Sequence, residues 1–195
     1  MGKVIVNLTM SLDGFIAGPN VRPEEPMGDG GEQLHDWMFN SNADGQVENT
    51  GAAVFDGTGA FIIGGRTFDL GVEHWGDDPE FHAPCFVLYE QPRETITKEG
   101  GTSYTFVTDG IESALNQAQA AAGDKDVTIM GGANAIQQYI NAGLVDELNI
   151  HVADMLLGSG TRLFDNLTIK PTQLEKVSVD DGSGVTHLKL QVYRP

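Results

Sequence analysis

Residues 127–140 read VTIMGGANAIQQYI. An apolar run from Val127 to Met130 passes through Gly131-Gly132 directly into the segment 133–142, where Ile136, Tyr139 and Ile140 share one face at helical spacing. This string predicts a buried strand whose carboxyl end turns at once into a helix that stops at Gly143. Glycines let a backbone approach a ligand closely and adopt dihedrals closed to other residues. The helix that follows offers unsatisfied N–H groups and the positive end of its dipole, and together these make a phosphate cradle. The same string also fits an ordinary tight turn, because it is not the full G-x-G-x-x-G pattern.

Similar units flank it. Val4 to Met10 is β-branched and apolar, a strand followed by the turn Ser11-Leu12-Asp13-Gly14. Residues 18–34 are rich in proline, glycine and acids and predict a loop, with a short helix over LHDWMF at 34–39. Ala60 to Ile63, Phe86 to Leu88 and Tyr104 to Val107 predict three further strands, with a Gly-, Pro- and acid-rich stretch at 69–84. Asp109 and Glu112 have capping-box spacing ahead of Ile111, Ala114, Leu115 and Ala118, one helical face that ends at Gly123. Leu148, Ile150 and Val152 alternate as a strand. Val177 and Val179, the turn 180–184, and Leu188, Leu190 and Val192 close the chain as a hairpin. The fold class is therefore α/β: one domain over 1–195, a sandwich on a mixed, mostly parallel sheet with an antiparallel C-terminal hairpin.

Composition narrows the function. The chain has 195 residues, 28 acids and 11 Lys plus Arg, for a net charge of −17. Such a chain repels the nucleic-acid backbone and anionic membranes, so neither is an expected partner. An anionic ligand needs a local device to overcome that field. The one cysteine, Cys85, supports neither a disulfide framework nor a thiolate zinc site. No run approaches the roughly 20 apolar residues that span a bilayer. A soluble, cytoplasmic protein is expected.

Other stretches carry candidate chemistry. Arg66 and Thr67 follow Gly64-Gly65 at the end of the second strand, where either a phosphate contact or a plain surface loop fits. Gly158 to Phe164 holds Arg162 between glycines and an aromatic ring, and suits a ligand contact or a hairpin loop. Glu73, His74, Asp77, Asp78, Glu80 and His82 read as a solvated acidic loop, with a metal-dependent hydrolase as the remote reading. His35, His151 and His187 are isolated in sequence. No nucleophile elbow, Walker A loop or CxxC occurs, so a bound cofactor that carries the chemistry is the economical reading.

MSLDGFIAG (10–18), GGRTFDLG (64–71), IMGGANAIQQYINAGLVDEL (129–148) and HVADMLLGSGTRLFD (151–165) together resemble the dihydrofolate-reductase-like family that includes the reductase domain of the bifunctional riboflavin-biosynthesis deaminase-reductase. The resemblance covers nearly the whole chain. It implies a three-layer sandwich with NADPH across the strand ends. Gly131 and Gly132 would meet the cofactor, through a cis peptide as in family members, and Ala133 and Asn134 would open the phosphate-binding helix. Gly64, Arg66 and Thr67 would lie at the phosphates, Leu88 and Tyr89 at the end of the third strand, and Gly14 and Asp13 on the nicotinamide and substrate side. Asp36 would be either the pocket carboxylate or a plain helix-surface acid, the proton donor would be Asp13, Asp36 or water, and Arg162 would contact a substrate phosphate. A homodimer is implied by the same likeness.

Two positions depart from the family's pattern. Gly65 stands where a basic residue often holds the 2′-phosphate of NADP, and Tyr89-Glu90 stand where small hydroxyl residues are common. A carboxylate repels a phosphate but accepts a hydrogen bond from a free 2′-hydroxyl, so weakened NADPH preference and use of NADH are expected. The expected activity is hydride transfer to a small heterocyclic or carbonyl substrate, with 5-amino-6-(5-phosphoribosylamino)uracil and dihydrofolate as examples. The alternative is a non-enzymatic binding module on the same scaffold.

Overall fold

The computed structural model describes residues 2–39 and 55–193. Six central strands run parallel because each of the first five returns to the sheet by a crossover rather than a hairpin. They are β1 (Val4–Ser11), β3 (Thr58–Gly64), β4 (Pro84–Leu88), β6 (Ser103–Val107), β7 (Asp126–Gly131) and β8 (Glu147–Ala153). The antiparallel hairpin β10 (Leu174–Gly182) and β11 (Val185–Val192) extends the sheet beyond β8, and the short β5 (Ile96–Thr97) pairs with β6 at the other edge. Among the described residues the sheet has nine strands, ordered β10-β11-β8-β1-β7-β3-β4-β6-β5. A separate two-stranded ribbon joins β2 (Phe15–Ala17) to β9 (Thr161–Arg162).

The central strands read as continuous apolar runs because both of their faces are covered. Ala60 and Ile62 of β3 pack in one core with Val6, Ile129, Leu148 and Ile150. That core is closed by α2 (Ile111–Ala122) through Ala114, Leu115 and Ala118, and by α3 (Ala133–Asn141) through Ile136 and Tyr139. Phe61 and Ile63, alternating with them, pack on the opposite face with Cys85, Val87 and Tyr104. That face is covered by α1 (Gly65–Gly71) through Phe68, and farther along by the 3-10 helix Gly31–Met38 through Trp37. The result is the expected three-layer sandwich.

Local details differ from expectation. The helix over 111–122 is not capped by Asp109. Gly110 holds the N-cap at φ 92°, and Ala114 donates to its carbonyl at 3.2 Å. Asp109 instead accepts from Thr108 Oγ1 at 3.4 Å, so the Asp109–Glu112 capping box does not form. Gly123 does end the helix, at φ 63°.

Glu147 shows how the hairpin edge tolerates a charge inside the sheet. Its side chain is fully buried, yet Lys3 Nζ lies 2.8 Å from Oε2 and Lys189 Nζ 3.1 Å from Oε1. Burial pushes the carboxyl pKa up, but the two lysines more than offset this and hold it below the usual range. Both lysines are about half exposed and can rehydrate if the carboxylate is lost. Glu147→Ala is therefore expected to lower stability by about 1–3 kcal/mol. A urea midpoint that falls at constant m-value checks this, and an unchanged midpoint contradicts it.

Candidate functional site

The neighbouring parallel strands β3 and β7 send their helices to opposite faces, α1 to one side and α3 to the other. Where adjacent connections diverge in this way, a crevice opens beyond the carboxyl ends of the strands. Its walls here are glycines. Gly131 has φ 133°, and a Cβ built on it meets nothing within 4 Å, so the space beside it is open. The Gly131–Gly132 peptide is cis. A Cβ on Gly132 would stand 2.9 Å from Thr67 Oγ1. One on Gly64 would stand 3.5 Å from the Gly132 nitrogen and 3.6 Å from Ala135 Cβ. Two strands and two helices thus meet without intervening side chains. Gly132 is the N-cap of α3, and its carbonyl accepts the first helical bond, from Ile136 at 3.2 Å. The amides of Ala133 and Asn134 have no acceptor within the helix. The Asn134 side chain is exposed and accepts from Gln138 Nε2 at 2.8 Å.

Arg66 and Thr67 lie in the first turn of α1 rather than in a loop. Arg66 is exposed, and its NH2 reaches the Val21 carbonyl at 3.5 Å. Gly65 is small for a local reason: a Cβ there would stand 2.7 Å from the Tyr89 ring and 2.9 Å from the Leu88 carbonyl. Tyr89 Oη donates to Asp69, 3.0 Å from each carboxylate oxygen. Arg93, which sequence inspection passed over, completes the group: its NH1 donates to Tyr89 Oη at 3.3 Å. The signal that could have found it is the one applied to Arg66, a scarce cation just past the carboxyl end of a parallel strand.

On the other side of the crevice, Asp13 clamps two loops. Its carboxylate accepts from Ser11 Oγ at 2.6 Å, Leu157 N at 3.1 Å and Gly158 N at 2.7 Å. The Ser11 hydroxyl, opposed by some desolvation and aided by the Gly158 and Leu157 amides, holds its pKa below the ordinary value. An anion so engaged does not fit the role of proton donor, and Asp13 is better described as a brace. Asp36 does not fit the role of pocket carboxylate either. It is exposed, whereas Leu34 and Trp37 are the buried residues of its helix. Gly14, at φ 92°, is overlain by Arg162, whose NH2 would stand 3.3 Å from a Cβ there. The Arg162 guanidinium also lies 4.9 Å from the Phe15 ring centre and pairs with Asp165 at 3.5 Å. The β2–β9 ribbon thus brings Gly14 and Arg162 together, although they are far apart in sequence.

The acidic loop at 73–82 gathers no such set. His82 Nδ1 lies 3.5 Å from Asp78, and His74 Nε2 lies 3.0 Å from the Pro23 carbonyl. Among the described residues no three potential metal ligands come together, and no helix is long and apolar enough to cross a membrane.

His151 and His187, isolated in sequence, are register partners on β8 and β11. Phe61, Thr128, Ile5 and Glu147 are partners across four strands, so the alternating residues Asn7, Thr9, Asn149 and His151 lie on the same face. This end of the face is polar. His151 Nδ1 and His187 Nδ1 are 2.7 Å apart, and His151 Nε2 is 2.9 Å from Asn7 Oδ1. With Asn7 Oδ1 as acceptor, His151 Nε2–H donates to it and His187 Nδ1–H donates to His151 Nδ1. Trp37 packs 5.0 Å from each imidazole and donates to Thr9 Oγ1 at 3.3 Å. Beside the pair lies a cleft of about 190 Å³, lined by Asn7, Asn149, Asp180 and Lys189 among others.

The RibD C-terminal domain family matches residues 2–188. The chain belongs to that family. The RibD C-terminal domain thus accounts for nearly the whole length. Among curated proteins, YyaP of Bacillus subtilis (strain 168), described only as uncharacterized, is 27% identical over 172 residues, spanning 83% of this chain and 80% of that one. Among solved structures, a putative riboflavin biosynthesis protein from Shewanella sp. PV-4 superposes with a TM-score of 0.73 at 23% identity, covering 98% of this chain and 99% of that one. Dihydrofolate reductase from Enterococcus faecalis, solved with NADP(H) bound, superposes with a TM-score of 0.62 at 14% identity, covering 99% and 98%. The fold class read from sequence agrees with these likenesses.

The histidine pair makes a prediction about acid stability. Burial first, then the neighbouring His187 and His35, push the His151 pKa down from the ordinary 6.5 to about 4. The neutral form is favoured by folding, so its contribution is complete above pH 6.5 and is lost as pH falls through about 4. His151→Gln is expected to flatten the decline of melting temperature over that window. A variant whose decline parallels the parent's would contradict the assignment.

Proposed function

We propose that this RibD C-terminal domain is an NADPH-dependent reductase whose substrate is a small heterocyclic or carbonyl compound. The observation that carries the reading is the side-chain-free meeting of Gly64, Gly131 and Gly132 at the divergence of α1 and α3. Open space beside Gly131 and the unpaired amides of a helix start fit a diphosphate. Ala133, Asn134 and Thr67 would hold it, with Arg66 nearby on α1. The nicotinamide end would point toward Gly14 and Arg162, and the adenosine end toward Leu88 and Tyr89. When bound, reduced nicotinamide supplies the hydride.

The chain's own contribution is positioning and shielding. Asp13 ties the 11–15 turn to the 155–158 loop and fixes the edge of the pocket. Trp37 closes the polar part of the sheet face from above. Arg162 offers a cation to a substrate phosphate, and 5-amino-6-(5-phosphoribosylamino)uracil and dihydrofolate are the first compounds to try. A cytoplasmic homodimer belongs to the same reading. The edge strand β10, with Val177 and Val179 about half exposed, is the surface to examine, and light scattering of the purified chain tests it.

NADPH and NADH titrations followed by nicotinamide fluorescence test the central claim. Thr67→Val keeps the volume and removes the hydroxyl beside Gly132, and is expected to weaken NADPH several-fold with the melting temperature unchanged. Gly132→Val places methyl groups where even a Cβ is too close to Thr67, and is expected to abolish binding. Binding that survives Gly132→Val would remove the crevice as the site. A folded parent that takes up neither nucleotide would favour a binding module without catalysis, the reading that Tyr89 and Glu90 bring forward.

A further inference from the structure

The crevice carries a charge problem. A chain of net charge −17 must bind a cofactor that is itself strongly anionic. Gly65 carries no cation, and none can be placed there without moving Tyr89, whose ring stands 2.7 Å from the Cβ position. Glu90 adds an exposed carboxylate on the same loop. Arg66 is turned toward the Val21 carbonyl. What remains at this end of the sheet is Arg93.

Arg93 is held on several sides by aromatic rings. Its guanidinium carbon lies 4.6 Å from the ring centre of Phe106, 5.3 Å from that of Tyr89 and 5.4 Å from that of Phe68. NH1 alone meets partners: Tyr89 Oη at 3.3 Å and Asp69 Oδ1 at 3.5 Å. Among the described residues the other donors of the fork meet none. The side chain is 40% exposed, so those donors are accessible. Aromatic walls restrict the rotamers of a long side chain, and the planar guanidinium suits both stacking and two-point contact with a phosphate. The Asp69 contact is long and half exposed, a weak pair that a dianionic phosphate can outcompete.

Position matters as much as preparation. Gly64 and Leu88 are register partners, so Tyr89 begins one strand away from the crevice, and Arg93 sits on Tyr89. We propose that Arg93 recognises the 2′-phosphate of NADPH, replacing a cation that position 65 cannot carry, with Tyr89 as its positioning residue and Asp69 as the carboxylate that the phosphate displaces. This rests on the dinucleotide reading given above. It reverses the expectation drawn from Gly65 and Glu90: NADPH is preferred over NADH because the cation is relocated to the other side of Tyr89.

Calorimetric binding of NADPH, NADH and the fragment 2′,5′-ADP to the parent, Arg93→Gln, Asp69→Asn and Arg66→Gln tests the proposal without any turnover assay. Arg93→Gln is expected to weaken NADPH and 2′,5′-ADP roughly tenfold or more and to leave NADH within about twofold. The steepness of the NADPH salt dependence falls with it, because a charge contact is lost. Asp69→Asn, which frees Arg93 of its competing carboxylate, is expected to strengthen NADPH relative to NADH. Equal losses for NADPH and NADH in Arg93→Gln overturn the proposal and leave the dinucleotide site standing. So does discrimination that disappears in Arg66→Gln instead. A folded parent that binds neither nucleotide overturns both readings together.

Discussion

Everything at the candidate site depends on backbone reaching backbone where β3 and β7 end. Gly64 lies against the Gly132 nitrogen and Ala135, and Gly132 lies against Thr67. A side chain at Gly132 would press on the Thr67 hydroxyl in the first turn of α1, at the point where α1 and α3 approach each other. Because β3 and β7 are register partners buried on both faces, neither strand can shift to relieve such a push. The rigid sheet therefore transmits a local requirement, no Cβ at Gly132, into the geometry of two helix starts.

The sheet face under α1 and Trp37 is divided by chemistry. Toward β4 and β6 it is aromatic, with Phe61, Phe81, Tyr104 and Phe68 in edge-to-face contacts. Toward β1, β8 and β11 it becomes polar, with Asn7, Thr9, His151 and Glu147 on one face. The aromatic half is held by packing, and the buried Tyr104 hydroxyl within it meets no hydrogen-bond partner among the described residues. Much of the polar half is paired, imidazole to imidazole, imidazole to Asn7, and Glu147 to two lysines, while Asn149 Oδ1 is buried with no hydrogen-bond partner among the described residues. A stable sheet would more simply have been apolar throughout, since buried polar groups add little net stability. The polar half begins on β1, the strand next to β7, and so lies on the crevice side of the sheet.

The acidity of the chain is partly structural. Asp13 binds two backbone amides of a distant loop, Asp69 anchors Tyr89 and Arg93, and Asp165 pairs with Arg162. These carboxylates orient the few cations and loops around the crevice, which is how a strongly negative protein can keep positive groups in place at the edge proposed to bind a dinucleotide.

The residues of β1, β3, β4, β6 and β7 were legible because strands buried on both faces must be apolar along their length, and α2 and α3 because helical spacing survives in any context. The Gly131-Gly132 turn was legible for the same local reason. Helix α1 was hidden, since its glycine ends and short length carry little propensity. It forms because Phe68 is buried against Tyr104 and Phe106. The β2–β9 ribbon, the His151–His187 pair, the Asp13 clamp and the Arg93–Tyr89–Asp69 group were not legible. Each joins residues far apart in the chain through a strand register or a loop closure, and neither is encoded in any window of sequence. What the sequence by itself determined was which segments become strands and helices and which chain positions are free of side chains. Which cations and carboxylates stand beside those positions was decided only by tertiary packing, because that depends on distances across the sheet and not along it.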